Sequence, residues 1–274
     1  MEGPLMAEQE YDWASLGIDV TKPSIARAYD VVLKGKDNFE VDRAFVDQIV
    51  KIIPELYDVA AYNREILGRG VRYLAGEVGL RQFLDLGSGL PTVRNTHQVA
   101  QEVAADARVA YVDNDPIVLA HGRALLAEND RTTVVTADLR EPEKVLADAD
   151  VRRLIDFDRP VAVMLVGILH HLHDEEGPQR IVETLLDAVP SGSHLFVTHF
   201  CASSEEARAA EEQYLALLGT GRFRTPEEIT AYFGGLELLE PGVVPLPLWR
   251  PDGEVPAELT VGQRLMYGGI ARKP

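Results

Sequence analysis

Three acidic residues, each at the end of a short apolar run, carry the first chemistry this sequence shows. Phe83-Leu84-Asp85-Leu86 leads straight into Gly87-Ser88-Gly89-Leu90-Pro91-Thr92. Glycines in such a turn let the backbone take positive φ and approach a ligand closely. The dinucleotide fingerprint G-x-G-x-x-G is incomplete, because Thr92 stands where its third glycine belongs. An acid ahead of the glycines disfavours a pyrophosphate and suits a cation. Asp85 is expected to order the glycine loop and face an ammonium group, directly or through water. The second run ends Tyr111-Val112-Asp113-Asn114-Asp115-Pro116, with Asp113 placed 24 positions after Gly89. An acid there can accept from both hydroxyls of a ribose, while Asp115 before Pro116 reads as a helix cap. The third run ends Thr136-Ala137-Asp138-Leu139-Arg140. Asp138 is placed to accept from an adenine amine, with Leu139 against the ring. The order of the three motifs points to a nucleoside site at one edge of a sheet.

A fourth run, Val161 to Val166, leads into Gly167-Ile168-Leu169-His170-His171-Leu172-His173-Asp174. Neighbouring histidines in extended chain face opposite ways and do not easily share one ion. No H-E-x-x-H or paired cysteine accompanies them, so no metal site is expected. Two readings of His170 and His171 stand side by side: a general base titrating near the ordinary histidine value, or side chains that satisfy loop carbonyls. Of the two, His170 comes first after the strand and is expected nearer the reacting centre.

The elements that must hold these residues follow from periodicity. Residues 1–20 read as a loose arm. Residues 21–80 read as helical: a first helix opening at Pro23 and stopped by Gly35, then helical spacing over Phe39–Ile53 and Tyr57–Glu77. From 81 onward short apolar runs (Gln82–Leu86, Val109–Val112, Thr133–Thr136, Val161–Val166, His194–Thr198) alternate with helical stretches at 92–105, 116–128, 142–155 and 175–188. Such alternation predicts an α/β fold with a parallel sheet covered on both faces. Two more helices are expected at 204–218 and 226–233, then strands at Leu236–Leu239 and Arg264–Ala271.

The chain has 274 residues, 46% of them hydrophobic and 26% charged, which is ordinary for one globular unit with an appendage. Its net charge of −17 disfavours phosphate backbones and anionic lipid, so neither nucleic acid nor membrane is an expected partner. The sole cysteine, Cys201, forms no intramolecular disulfide and is expected to be a small buried side chain. The first residues carry no apolar core of a signal peptide, so a cytoplasmic protein is expected.

Several stretches together resemble one bacterial family, named S-adenosyl methyltransferase after a period as a domain of unknown function. They are PSIARAYDVVLKGKDNFEVDR, NREILGRGVRYLA, DLGSGLPT, YVDNDPIVLAHGRALL, GILHHLHD, FRTPEEI and YGGIARKP. The resemblance runs from residue 17 to the end. It implies a Rossmann-like methyltransferase fold: a mostly parallel seven-stranded sheet with an antiparallel last strand, helices on both faces and an N-terminal helical cap. It implies S-adenosylmethionine as cofactor, held by Asp85, Gly87, Ser88, Gly89, Asp113 and Asn114, with Asp138, Leu139 and Gly167. Pro91, where a third alternating glycine would fall, is expected to start the next helix early. The segment holding Arg27, Tyr29, Lys36, Asn38 and Phe39 and the helix holding Asn63 and Arg64 read as a lid. In it Tyr29 would favour the sulfonium and Arg64 the methionine carboxylate. The acceptor is expected to be a small molecule, and oligomeric state is open. Rival readings are a non-catalytic nucleoside-binding module, a nicotinamide oxidoreductase, which the missing glycine disfavours, and a metal hydrolase using the histidines.

Overall fold

Strands alternate with helices through the middle of the chain, and the apolar runs are the cause. The computed structural model describes residues 18–91, 94–126 and 130–274. Strands β1 (Gln82–Leu86), β2 (Arg108–Asp113), β3 (Thr132–Thr136), β4 (Ala162–Val166) and β5 (His194–Phe200) pair in parallel in the order β3-β2-β1-β4-β5. Every residue of β1 and β5 is buried, as strands covered on both faces require. Strand alternation sorts the side chains between two cores. Phe83, Met164 and Phe196 pack with the N-terminal helices, whereas Leu84, Val163 and Leu195 pack with the opposite layer.

The N-terminal layer is α1 (Ile25–Val32), α2 (Glu40–Ile52) and α3 (Leu56–Arg72), followed by a π-helical turn over Tyr73–Glu77. Helix α1 opens at Ile25 with Ser24 as its cap, and it ends before Gly35 because Lys34 takes the left-handed conformation at φ 60°. Gly35 is still needed: a Cβ there would lie 1.9 Å from Asp30 Oδ1.

Two helices differ from expectation. The helix after the glycine loop does not start at Pro91. It is α4 (Thr96–Val103), fixed by Asn95, whose N–H donates to Gln98 Oε1 at 2.8 Å. The stretch 142–155 is two helices, α6 (Pro142–Ala147) and α7 (Ala149–Leu154), because Asp148 turns extended and caps Asp150 N and Val151 N with its side chain. The remaining helices are α5 (Pro116–Leu126), α8 (Pro178–Asp187), α9 (Glu205–Leu218) and α10 (Pro226–Ala231).

Among the described residues the sheet has eight strands, one more than the seven expected. β8 (Met266–Arg272) pairs antiparallel with β5, and both β6 (Glu237–Leu238) and β7 (Val244–Pro245) pair with β8. They are two pieces of one outer position. Between them Pro241 has no N–H to give and Gly242 sits at φ 90°, so the ladder is interrupted there.

Strand order reverses between β1 and β4. In open α/β sheets that switch leaves a crevice at the carboxyl ends of the two strands. Gly87 follows β1 there and Gly167 follows β4. Among the described residues, no helix is long and apolar enough to cross a membrane.

Candidate active site

The crevice opens into a cavity of about 540 Å³ roofed by α1–α3, with a second of about 350 Å³ beside it over the tips of β2 and β3. Gly87 and Gly89 both take positive φ, 68° and 66°. They serve different ends. A Cβ on Gly87 would meet Ile168 Cγ1 at 2.2 Å, so Gly87 lets the two strand-end loops touch. A Cβ on Gly89 would meet nothing within 4 Å, so its bare face borders open space. Ser88 also lines the larger cavity, and its N–H reaches Val112 O at 3.3 Å.

The carboxylate that holds the glycine loop is Asp113, where the sequence pointed to Asp85. Asp113 Oδ2 accepts from Gly89 N at 2.8 Å, and Oδ1 accepts from Asp115 N at 2.9 Å. It lines both cavities together with Asn114. Burial pushes its pKa up, against the pull of those backbone donors. Asp85 is 6% exposed and accepts from Thr96 Oγ1 at 2.7 Å. Burial raises it to about 6; the Thr96 bond and the nearby Arg64 charge only partly oppose this. Asp115 caps α5 through Ile117 N at 3.0 Å, as expected, and also accepts from Ser24 Oγ at 3.2 Å. That bond ties the cap of α1 to the tip of β2.

Asp138 and Leu139 line the smaller cavity. Leu139 is buried, and Asp138 is gripped by Arg140, whose Nη2 lies 2.6 Å from Oδ2. The Arg140 hydrogen bond holds the Asp138 carboxyl below its ordinary range.

On the roof, Tyr29 lines the cavity and its hydroxyl accepts from Asn63 Nδ2 at 3.2 Å. Asn63 Oδ1 accepts in turn from Thr198 Oγ1 at 2.7 Å, so α1, α3 and β5 are stitched together beside Gly167, which has φ 74°. Arg64 lines the cavity too, while its Nη2 donates to Arg94 O at 2.8 Å. Arg27 is a structural pin: buried, it pairs with Asp42 at 2.8 Å and donates to the carbonyls of Asp19 and Lys22. Lys36 and Asn38 do not line the cavity; Lys36 is exposed and Asn38 donates to Asp30.

His170 and His171 sit on a single 3-10 turn after β4 and both line the larger cavity. They are not alike. His170 Nδ1 accepts from Phe200 N at 3.4 Å, and its ring packs 4.3 Å from Phe200 and 5.3 Å from His199. The His171 ring has no hydrogen-bond partner among the described residues, its Nδ1 being shut off from solvent, and the residue lines both cavities. The carbonyl of His171 is held by Thr220 Oγ1 at 2.5 Å. Burial depresses all three rings of the cluster: His171 and His199 to about 3, and His170 well below the ordinary value. The expectation of a titration near 6.5 is therefore replaced by imidazoles that stay neutral. Among the described residues, no group of three side chains is arranged to hold a metal.

Arg224, in the stretch FRTPEEI, shapes this turn although its neighbours in sequence mark only a helix start. Nearly buried, it donates to Leu169 O at 3.2 Å and Leu172 O at 3.1 Å, on either side of the histidine pair. It also meets His199 Nε2 at 3.0 Å and Asp174 Oδ1 at 2.7 Å. Its Arg-Thr-Pro setting reads only as a helix start, because a cap motif says nothing of a contact more than 50 residues back.

The family model of S-adenosyl methyltransferases matches residues 11–274. The chain belongs to that family. A crystal structure of a methyltransferase candidate from Thermobifida fusca YX is 54% identical, with TM-score 0.92, covering 96% of this chain and 99% of that one. A DUF574 family protein from Streptomyces avermitilis MA-4680 is 39% identical, with TM-score 0.89, covering 93% and 99%. No curated protein matches. The mostly parallel sheet with helices on both faces is the Rossmann-like fold expected of such a methyltransferase, and neither relative identifies an acceptor.

Proposed function

We propose that this family member binds S-adenosylmethionine across the β1–β4 crevice and methylates a small molecule held under the helical roof. The observation that carries the reading is Asp85: a buried carboxylate pushed up to about 6, lining the cavity behind a glycine loop with an open face. Such a group lacks a full cationic partner, and a sulfonium compound with an ammonium group supplies one. Asp113 and Asn114 face the ribose, Asp138 and Leu139 the adenine, and Arg64 the methionine carboxylate. Tyr29 offers a ring face toward the positive sulfur.

The cofactor supplies a methyl group made electrophilic by a positively charged sulfur. What remains for the protein is to align the acceptor, exclude water and keep the acceptor's lone pair available. The roof of α1–α3, tied down at Ser24–Asp115 and Tyr29–Asn63–Thr198, does the excluding. Calorimetry with S-adenosylmethionine and S-adenosylhomocysteine tests the reading; absence of binding to either would remove it.

A further inference from the structure

The larger cavity changes character along its length. At the glycine-loop end its walls carry Asp85, Asp113, Asp115 and Arg64, with Asp19, Lys22 and Arg27 on the segment that Ser24 ties to Asp115. At the other end they are Val32, Phe45, Val46, Leu56, Val59 and Met266, all uncharged. Between the two ends lies a closed circuit of rings. His170 is 4.3 Å from His171 and 4.3 Å from Phe200, Phe200 is 5.5 Å from Tyr214, and Tyr214 is 6.5 Å from His171. All four line the cavity. Aromatic walls of this kind favour a flat ring, stacked or edge-on.

The polar groups of that wall are the two imidazoles and the Tyr214 hydroxyl, and His171 is the imidazole left open. Its neighbours are satisfied: His170 accepts from Phe200 N, His199 bonds Phe200 O and Arg224, and His173 bonds Gly219 O. The His171 ring alone of these lacks a partner among the described residues; its Nδ1 is shut away from the cavity, and since the half-buried ring lines both cavities, Nε2 is the nitrogen a ligand can reach. From these placements, and resting on the methyltransferase reading above, we infer that the acceptor is a neutral aromatic compound whose methylated atom carries a proton, and that this proton is donated to His171.

Three observations fix the class. The apolar end offers no cation, so an acceptor with a carboxylate would enter with an unpaired charge. His171 is kept neutral by burial, so it presents a bare nitrogen and attracts no anion. The direction of the hydrogen bond follows from the chemistry, because the acceptor's lone pair must point at the methyl group and its proton therefore points away. For a hydroxyl, the oxygen lone pair forms the new C–O bond as the C–S bond breaks with its pair left on sulfur, and the proton moves to His171. The site then holds one positive charge before and after, on sulfur first and on the imidazole next. A buried site tolerates a moved charge better than a new one.

The test uses three probes of one shape on the protein saturated with S-adenosylhomocysteine: 2-naphthol, 2-methoxynaphthalene, which lacks the donor, and 2-naphthoate, an anion. Calorimetry should give 2-naphthol at least about tenfold tighter binding than either of the others, the worth of one good hydrogen bond in a dry site. His171→Phe should bring 2-naphthol down to the level of 2-methoxynaphthalene. His171→Asn, which keeps a polar group, should retain part of the preference and guards against a Phe variant that misfolds. Equal binding of all three probes, preference for the naphthoate, no binding of 2-naphthol, or a preference that survives His171→Phe would each overturn the inference. S-adenosylhomocysteine affinity is measured first on the unliganded protein. Failure there removes the methyltransferase reading itself, whereas failure only with the naphthalene probes removes this acceptor class and leaves that reading standing.

Discussion

The two ends of the cavity are built by different means. At the glycine-loop end, carboxylates are held by backbone N–H groups from nearby turns: Asp113 by Gly89 and Asp115, Asp115 by Ile117. At the far end, side chains from α1, α2, α3, β5, α9 and β8 converge with no hydrogen bonds among most of them. Arg224, Thr220 and the Phe200 N–H pin the histidine turn between the two. The first end is polar and held by hydrogen bonds between strand-end turns, the Gly89–Asp113 bond spanning 24 residues; the second is assembled by packing. Damage to one should therefore spare the other, and that separation can be tested.

The largest expected effect is at Gly89. Gly89→Val puts a β-branched side chain at φ 66° and fills the open face of the loop. Cofactor binding should fall below calorimetric detection while the far-UV circular dichroism stays near that of the parent. Retained binding would place the ligand elsewhere.

Arg224→Ala probes the junction. It leaves Leu169 O, Leu172 O and His199 Nε2 without their buried donor, which should cost about 3–5 kcal/mol of stability. Urea unfolding measures this, and S-adenosylmethionine affinity of the folded variant should change less than about threefold. A large loss of affinity with little loss of stability would erase the distinction between the ends.

Asp113→Ala removes a charged acceptor from Gly89 N and Asp115 N and should weaken cofactor binding by about 1.5–3 kcal/mol. Unchanged affinity in calorimetry would show that the glycine loop holds its shape unaided.

The smallest effect is a pH dependence. Asp85 sits at about 6 without a bound cation, and a sulfonium compound would lower it. Binding between those two values releases a proton, so affinity should rise with pH up to about 6, by at most about tenfold per unit, then level off. Asp85→Asn should flatten that rise. The histidine cluster gives no such feature in binding but a separate one in stability. His171 and His199 are at about 3 in the fold and near 6.5 when unfolded, so the unfolded chain takes up protons first as pH falls. Stability should fall as pH drops from 6.5 toward 3, an effect that Asp85, shifted the other way, opposes only in part.

Local signals were legible where local physics decides the outcome. Five parallel strands, the helical N-terminal segment and the capping role of Asp115 follow from apolar runs and turn chemistry in a few adjacent residues. The errors also have local causes read too simply. Pro91 is compatible with a helix start, yet Asn95 and Gln98 make a better one, and Asp148 sits inside a helical pattern but caps a new helix. Which carboxylate orders the glycine loop was not legible, since both Asp85 and Asp113 suit the role and only the β1–β2 register brings Asp113 to Gly89.

By itself the sequence determined the class of the fold, because strand and helix patterns depend on residues close along the chain. Tertiary structure alone decided which histidine is satisfied and which is not, since the partners of His170 and the clamp at Arg224 lie 30 and more than 50 residues away. It also decided that these imidazoles are neutral. A histidine's charge is set by how much water its neighbours exclude, and no spacing along the chain records that.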